Sequence, residues 1–380
     1  MAEPPHIPIT RPLLGEAEAR AVGEVLASGW LAMGARTAAF ERAFAETVGA
    51  THAVAVASGT AALHLGLLAA GIGPGDEVIV PSLSFVASAN VVLHAGARPV
   101  LVDVDPRSGN LDPAAAEAAI GPRTRALMPV HQLGLPAALD ELRALAERRG
   151  LLLVEDAACA LGSSYGGRPI GGASRLCCFS FHPRKVITTG EGGMVCTDDA
   201  ALADKLRLLR NQGITLPAAA RHQSRELVFE EIALVGYNAR LTDVQAAIGL
   251  AQLERLPGIL SARRRLAERY LARLAGLRGV ELPVEPGPGR SSYQSFMVVL
   301  EEPRCRRAVM QQLLDHGIDS RRGVMAIHRT AAYRKLEPGL SLPVSERLAR
   351  RGLILPLYPQ MTDEEQDRVV MALAEAVHAA

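Results

Sequence analysis

From residue 51 to about residue 250, short unbroken apolar runs alternate with stretches whose apolar positions recur every three or four residues. The runs are 52–57, 77–81, 99–103, 126–130, 151–155, 176–181 and 194–197. Continuous Val, Ile and Leu predicts strands buried on both faces, and the helical stretches between them predict crossovers. The expected fold class is therefore α/β, a mainly parallel seven-stranded sheet between helices. Ahead of it stand a Pro-rich arm, a helix over 16–28, a loop over 28–34 and a helix over 38–48. Behind it, helical pattern runs to about 211, and a looser Ala/Arg/Gln stretch to 226 reads as a mobile loop. Thr242 or Asp243 is placed to cap a helix. A long helix over 262–274 then leads to a smaller C-terminal α/β unit: strand 295–300, helix 305–316, strand 353–355 and closing helix 362–379. The expected division is a large unit with the arm over 1–250, and the linking helix with the small unit over 251–380.

In open parallel sheets ligands sit beyond the carboxyl ends of the strands, and several chemically capable residues fall there. In Ala57-Ser-Gly-Thr60 a strand ends and a helix begins, so free backbone N–H groups face the edge. Gly59 permits close approach and the Thr60 hydroxyl adds a donor, although Ser-Gly-Thr is also an ordinary helix cap. Phe85 follows the second run, where a strand end turns into a helix, either stacking on a flat ligand or packing its helix onto the sheet. Leu151-Leu-Leu-Val-Glu-Asp156 places an acidic pair at a buried strand end. A buried carboxylate needs a cation or full hydrogen bonding. The two acidic side chains point to opposite faces, and Asp156 is expected at the site. Lys185 stands in a polar turn between two buried strands. Partial burial favours its neutral amine, which can attack an aldehyde and form a Schiff base; a plain surface lysine is the other reading. His131 also ends a strand, lining a pocket or serving the fold. Trp30, the only tryptophan, reads as an anchor in a core or interface.

Composition narrows the partners. Lys plus Arg number 41 against 40 Asp plus Glu, a net charge of +1, which argues against nucleic acid or an anionic membrane as the main partner. The five cysteines show no C-x-x-C spacing and point to a reducing compartment without a metal site or a disulfide framework. No apolar run reaches membrane-spanning length and no signal peptide is evident, so a cytoplasmic location is expected.

The run Ser180-Phe-His-Pro-Arg-Lys185-Val-Ile-Thr-Thr-Gly-Glu-Gly-Gly193 is similar to the lysine motif of the DegT/DnrJ/EryC1/StrS family of sugar aminotransferases that depend on pyridoxal 5′-phosphate (PLP). The likeness extends from about Ile7 to the C-terminal helix. It implies a fold-type I, aspartate-aminotransferase-like architecture, with Lys185 carrying PLP and Asp156 holding the proton on its ring nitrogen. By the same resemblance Ser58, Gly59, Thr60 and Ser180 hold the phosphate, Phe85 stacks on the ring, and Asn238 reaches the phosphate of a second subunit in a homodimer. Cys159 stands where the family has glutamine or histidine against the phenolic oxygen, and a thiol is a weak donor there. The Gly-Trp loop at Trp30 is implied to lie near the substrate. His131, Arg240, Arg322 and His328 join it as expected substrate residues. Arg321, Arg322, His328 and Arg329 form a basic cluster suited to a nucleotide diphosphate, or simply a solvated face.

The resemblance implies transfer of an amino group from L-glutamate to a keto-sugar, through a pyridoxamine 5′-phosphate (PMP) form of the cofactor. A nucleotide-linked 4-keto-6-deoxy sugar is the first expectation, within amino-sugar synthesis for a surface polysaccharide or secondary metabolite. A 3-keto-sugar and a keto-inositol are the alternatives. Two further readings are a sugar dehydratase, a branch with histidine in place of the lysine, and a cofactor-binding sensor without turnover.

Overall fold

Every apolar run of the large unit becomes a strand. The computed structural model describes residues 5–172, 174–216 and 229–379, so the loop expected to end at 226 lies largely outside the described residues. In chain order the strands are β1 (His52–Val56), β2 (Glu77–Pro81), β3 (Arg98–Val102), β4 (Thr124–Leu127), β5 (Leu152–Leu153), β6 (Glu155–Asp156), β7 (Ser164–Tyr165), β8 (Arg168–Pro169), β9 (Cys177–Ser180) and β10 (Gly193–Thr197).

The expected single seven-stranded sheet is divided in two. One sheet has the order β3-β2-β4-β5 and the other β1-β10-β9-β6, each four-stranded. The division lies at Val154, so the fifth apolar run gives one strand to each sheet. Backbone bonds still step across it: Val154 N–H donates to Leu127 O and Asp156 N–H to Pro129 O, both at 2.9 Å. The two sheets therefore abut through one continuous stretch of chain. Pairing is parallel except where β10 meets β1 and β9. The carboxyl ends of β1, β2, β4, β6 and β9 consequently share one edge. The alternation of side chains serves both faces of β1: Val54 and Val56 enter one core, Ala53 and Ala55 the other. On the second face Phe40 and Phe44 of helix Ala35–Val48 meet Phe179 and Phe181 at ring-centroid distances of 5.1–5.4 Å.

Three features depart from the sequence pattern. The helix expected over 262–274 is the end of a longer one, Asp243–Leu274, which runs through Pro257. Proline costs a helix one backbone bond, but Leu253, Leu256 and Ile259 around it are buried in the large unit's core. The same helix delivers Leu266, Ala267, Tyr270 and Leu274 to the small unit's core. The N-terminal arm, expected with the large unit, lies against the small one. Ile7 is fully buried in that core and bridges Ile318, with its N–H on Gly317 O at 2.9 Å. Thirdly, β7 and β8 form a hairpin through Gly166 and Gly167, whose φ of 56° and 78° are the values a two-residue hairpin turn requires.

The small unit is an antiparallel sheet of β11 (Val280–Glu281), β13 (Phe296–Leu300), β14 (Arg321–Arg322) and β15 (Gly352–Leu355), in the order β11-β13-β15-β14. Strand β12 (Gly289–Arg290) instead joins the β7-β8 hairpin. Among the described residues no helix is long and apolar enough to cross a membrane.

Candidate active site

The edge shared by β1, β6 and β9 gathers Ser58, Gly59, Asp156 and Ser180 from among the residues singled out in the sequence. Ser58 caps helix Gly59–Ala69, its hydroxyl accepting from Ala61 N–H at 3.1 Å. The first N–H groups of any helix lack partners within it, so those of Gly59 and Thr60 are available at this edge. A Cβ on Gly59 would lie 2.6 Å from Ser180 Cβ, and one on Gly193 would lie 2.4 Å from Ser58 O. Both glycines are therefore imposed by close packing. Ser180, at the end of β9 and paired with Gly193, completes a tight cradle of hydroxyls and N–H groups. Such a cradle suits a phosphate.

Glu155 and Asp156 point to opposite faces, as their adjacency on a strand requires, and their surroundings separate their roles. Glu155 is bound by His131 Nε2 at 3.1 Å, Arg143 at 3.4 Å and Ser174 Oγ at 2.7 Å. The His131 bond is the largest influence opposing burial, and the carboxyl is held below its ordinary value. Asp156 is 4% exposed and has no ion pair among the described residues. Its Oδ2 accepts from Ser88 Oγ at 2.8 Å and its Oδ1 from Ala158 N–H at 3.1 Å. A buried carboxylate with no cation is incomplete by itself, and a ligand's cationic N–H would complete it.

Lys185 sits in the turn after β9, its N–H on His182 O at 2.8 Å and its Nζ donating to Cys159 Sγ at 3.1 Å. Cys159 is three residues beyond Asp156, so this contact brings the amine to the end of β6. The chain has three lysines, and the other two, Lys205 and Lys335, stand on helices Ala200–Leu209 and Ala331–Leu336. His182 beside Lys185 is held below its ordinary pKa, chiefly by burial. Phe85, at the end of the loop leaving β2, is 60% exposed. Ser88, three residues on, donates to Asp156, so this open aromatic face stands on the segment that reaches the carboxylate and can serve a flat ligand.

Trp30 is half-buried against Gly34, whose N–H donates to Asp243 at 2.8 Å. Two residues on, Gln245 Nε2 donates to Glu191 O at 2.7 Å, tying the helix start to the Gly-rich turn after Lys185. Asn238 is exposed, its amide oxygen accepting from Arg240 at 2.8 Å, and Arg240 pairs with Val56 at the end of β1.

His131 and His328 are not brought to the cleft as free side chains. His131 is fully buried; Nδ1 accepts from Ala137 N–H at 3.0 Å, which leaves Nε2 to donate to Glu155. His328 is buried between Ser82 Oγ at 2.6 Å and Glu346 Oε1 at 3.1 Å. Both imidazoles have their polar atoms consumed by the fold. Arg322 and Arg321 alternate on β14. Arg321 feels Arg184 of the lysine turn, and with Gln294 both line one small cavity. Arg322 is among the residues of the neighbouring groove with Arg306 and Arg350. The basic residue beside the lysine turn is thus Arg321, one position from the residue the sequence reading favoured. Side-chain alternation on a short strand could have raised that choice. Among the described residues no cluster suits a metal ion.

Glu346 supplies a pH prediction. Its carboxyl is held down to about 2 by Arg329, by His328 and by Leu342 N–H. Its folded value lies below its ordinary 4.5, so its contribution is complete above that pH and is lost as pH falls toward the folded value. Glu346→Gln is expected to lower stability at neutral pH and to flatten the acid limb of a Tm-versus-pH curve; an unchanged limb contradicts this.

The chain matches the model of the DegT/DnrJ/EryC1/StrS aminotransferase family over residues 12–374. It belongs to that family. Among solved structures it is similar to S. venezuelae DesV at 38% identity, covering 98% of this chain and 99% of that one, with a TM-score of 0.90. The sugar aminotransferase CalS13 from Micromonospora echinospora matches at 33% identity, 97% and 99% coverage and a TM-score of 0.88. Spr1654 from Streptococcus pneumoniae, solved in PLP and PMP forms, matches at 29% identity; for the PLP form the coverage is 98% and 99% and the TM-score 0.91. The DegT/DnrJ/EryC1/StrS aminotransferase described here thus shares its fold with these proteins over nearly the whole chain. Its residues also fit PLP: a cradle for a phosphate, an uncompensated buried carboxylate for a ring N–H, a lysine amine and an open aromatic face.

Proposed function

We propose that this aminotransferase moves an amino group from L-glutamate to a nucleotide-linked 4-keto-6-deoxy sugar. The enzyme is PLP-dependent. Bound PLP supplies a carbonyl that receives the amino group and a ring that accepts electrons. Lys185 Nζ would anchor the cofactor and, when released from it, would serve as the base that moves the proton of the substrate's carbon. Asp156 keeps the ring nitrogen protonated. Ser58, Gly59, Thr60 and Ser180 hold the phosphate, Phe85 covers the ring, and Cys159 orients the lysine amine.

The observation that carries the reading is the joining of Lys185, Asp156 and the Gly59–Ser180 cradle at one sheet edge. A lysine at position 185 favours amino transfer over the dehydratase branch, which has histidine there. Arg321 and Arg184, which line one small cavity, suit an anionic substrate. A homodimer is part of the proposal. Val235 is 90% and Tyr237 40% exposed on the stretch that presents Asn238, and an apolar stretch of that kind suits burial against a second copy.

Conversion of the enzyme to its PMP form with glutamate, followed by side-by-side addition of nucleotide 4-keto, nucleotide 3-keto and keto-inositol acceptors, tests this. Restoration of the PLP-form spectrum is expected with the nucleotide 4-keto sugar. Restoration by another acceptor alone refutes the assigned sugar, and no response to glutamate refutes the donor.

A further inference from the structure

We propose that Ser84 and Ser88 form a directed hydroxyl relay that positions Asp156 for the cofactor's ring nitrogen; this rests on the role given to Asp156 above. Ser88 Oγ lies 2.8 Å from Asp156 Oδ2, and Ser84 Oγ lies 2.8 Å from Ser88 Oγ. Both serines are 1% exposed. A hydroxyl has one proton and a carboxylate only accepts. The Ser88 proton therefore points at Asp156, and the bond between the serines must be donated by Ser84. Two O–H dipoles are thereby aligned in series on one carboxylate oxygen, an arrangement in which each bond polarises the next.

The relay solves a specific electrostatic problem. A guanidinium against Asp156 would stabilise its charge but also neutralise it, leaving little for a cationic ring N–H. Neutral hydroxyls stabilise the anion and leave its charge in place. Nearby Glu155 shows the contrasting solution, with His131 and Arg143 as partners and no part at the edge.

The relay is fixed at its far end by the small unit. Ser84 N–H donates to Met325 O at 3.2 Å, Leu83 bridges Ala326, and Ile327 N–H donates to Ser82 O at 2.7 Å. Ser88 stands in the first turn of helix Ala87–His94, and Ser84 lies in the loop just before it. The segment from Ser82 to Ser88 thus holds the relay and Phe85 as one piece. Ser84 and Ser88 are positioning residues, acting on the cofactor only through Asp156.

The test uses holoenzyme loaded with PLP labelled with nitrogen-15 in the ring, in wild type, Ser88→Ala, Ser88→Thr, Ser84→Ala and Asp156→Asn forms. Ring-nitrogen NMR reports where the proton resides, and absorbance titration gives PLP affinity. Ser88→Ala is expected to move the ring signal toward the unprotonated position and to weaken PLP binding roughly ten-fold, the scale of one hydrogen bond to a charged group. Ser88→Thr, which keeps the hydroxyl, restores both, and Ser84→Ala gives a smaller change in the same direction. A ring signal unmoved in Ser88→Ala while Asp156→Asn moves it overturns the relay and leaves Asp156 in its role. A ring signal unmoved in Asp156→Asn overturns both. Should Ser88→Ala fail to fold, Ser84→Ala, which leaves Asp156 its own hydrogen bond, decides the matter by the same signal: a shift supports the relay and none refutes it.

Discussion

Lys185→Ala is expected to lose the lysine-bound cofactor's absorbance and to lower turnover by more than about 10⁴-fold, because proton transfer by a positioned side chain is alone worth about 10²–10⁴. The substitution also removes the amine that anchors the cofactor, so the two losses compound. No other lysine replaces it: Lys205 and Lys335 stand on helices away from this turn. The fold should survive, since the Lys185 side chain is only part-buried and its hydrogen bond is to Cys159. Circular dichroism with a half-reaction assay on glutamate checks both parts. A folded Lys185→Ala protein that still turns over removes this lysine from the chemistry.

Asp156→Asn carries the second large effect. The exchange keeps the shape and removes the charge. Removing one preorganised electrostatic group costs roughly 10²–10³ in kcat, and the adjacent carboxylate, Glu155, points to the other face and is taken up by His131, Arg143 and Ser174. PLP affinity should fall with it. The Ser88 hydroxyl can turn to the amide oxygen, so little loss of folding stability is expected. Wild-type kcat in Asp156→Asn would show that the ring nitrogen does not depend on this carboxylate.

What could be read from the chain follows the range of the interactions involved. The strands were legible because Val, Ile and Leu runs report burial on both faces without reference to any distant residue. Opposite faces for Glu155 and Asp156 followed from strand geometry alone, and the packing agrees: His131, Arg143 and Ser174 meet the first, Ser88 the second. The Ser58-Gly59-Thr60 turn was legible as a cap, but the need for glycine became visible only when Ser180 came within reach of its missing Cβ.

Partners far apart in sequence were not legible. His131 looks like a pocket residue until Glu155 takes its Nε2 and Ala137 its Nδ1. His328 is joined to Ser82 across 246 positions of chain, which no local pattern announces. The division of the sheet at Val154 was hidden because the apolar run continues through it. The helix expected over 262–274 starts at Asp243 and runs through Pro257 because apolar packing on both sides outweighs one lost backbone bond. Ile7 resembles part of a loose arm until Ile318 is seen beside it.

Reduction of the holoenzyme with borohydride, which makes a lysine-bound cofactor permanent, followed by peptide mass spectrometry, identifies the residue that carries PLP. The expected result is a single phosphopyridoxyl label on the peptide carrying Lys185. A label on Lys205 or Lys335, or none on a protein shown to hold PLP, would contradict the site described here.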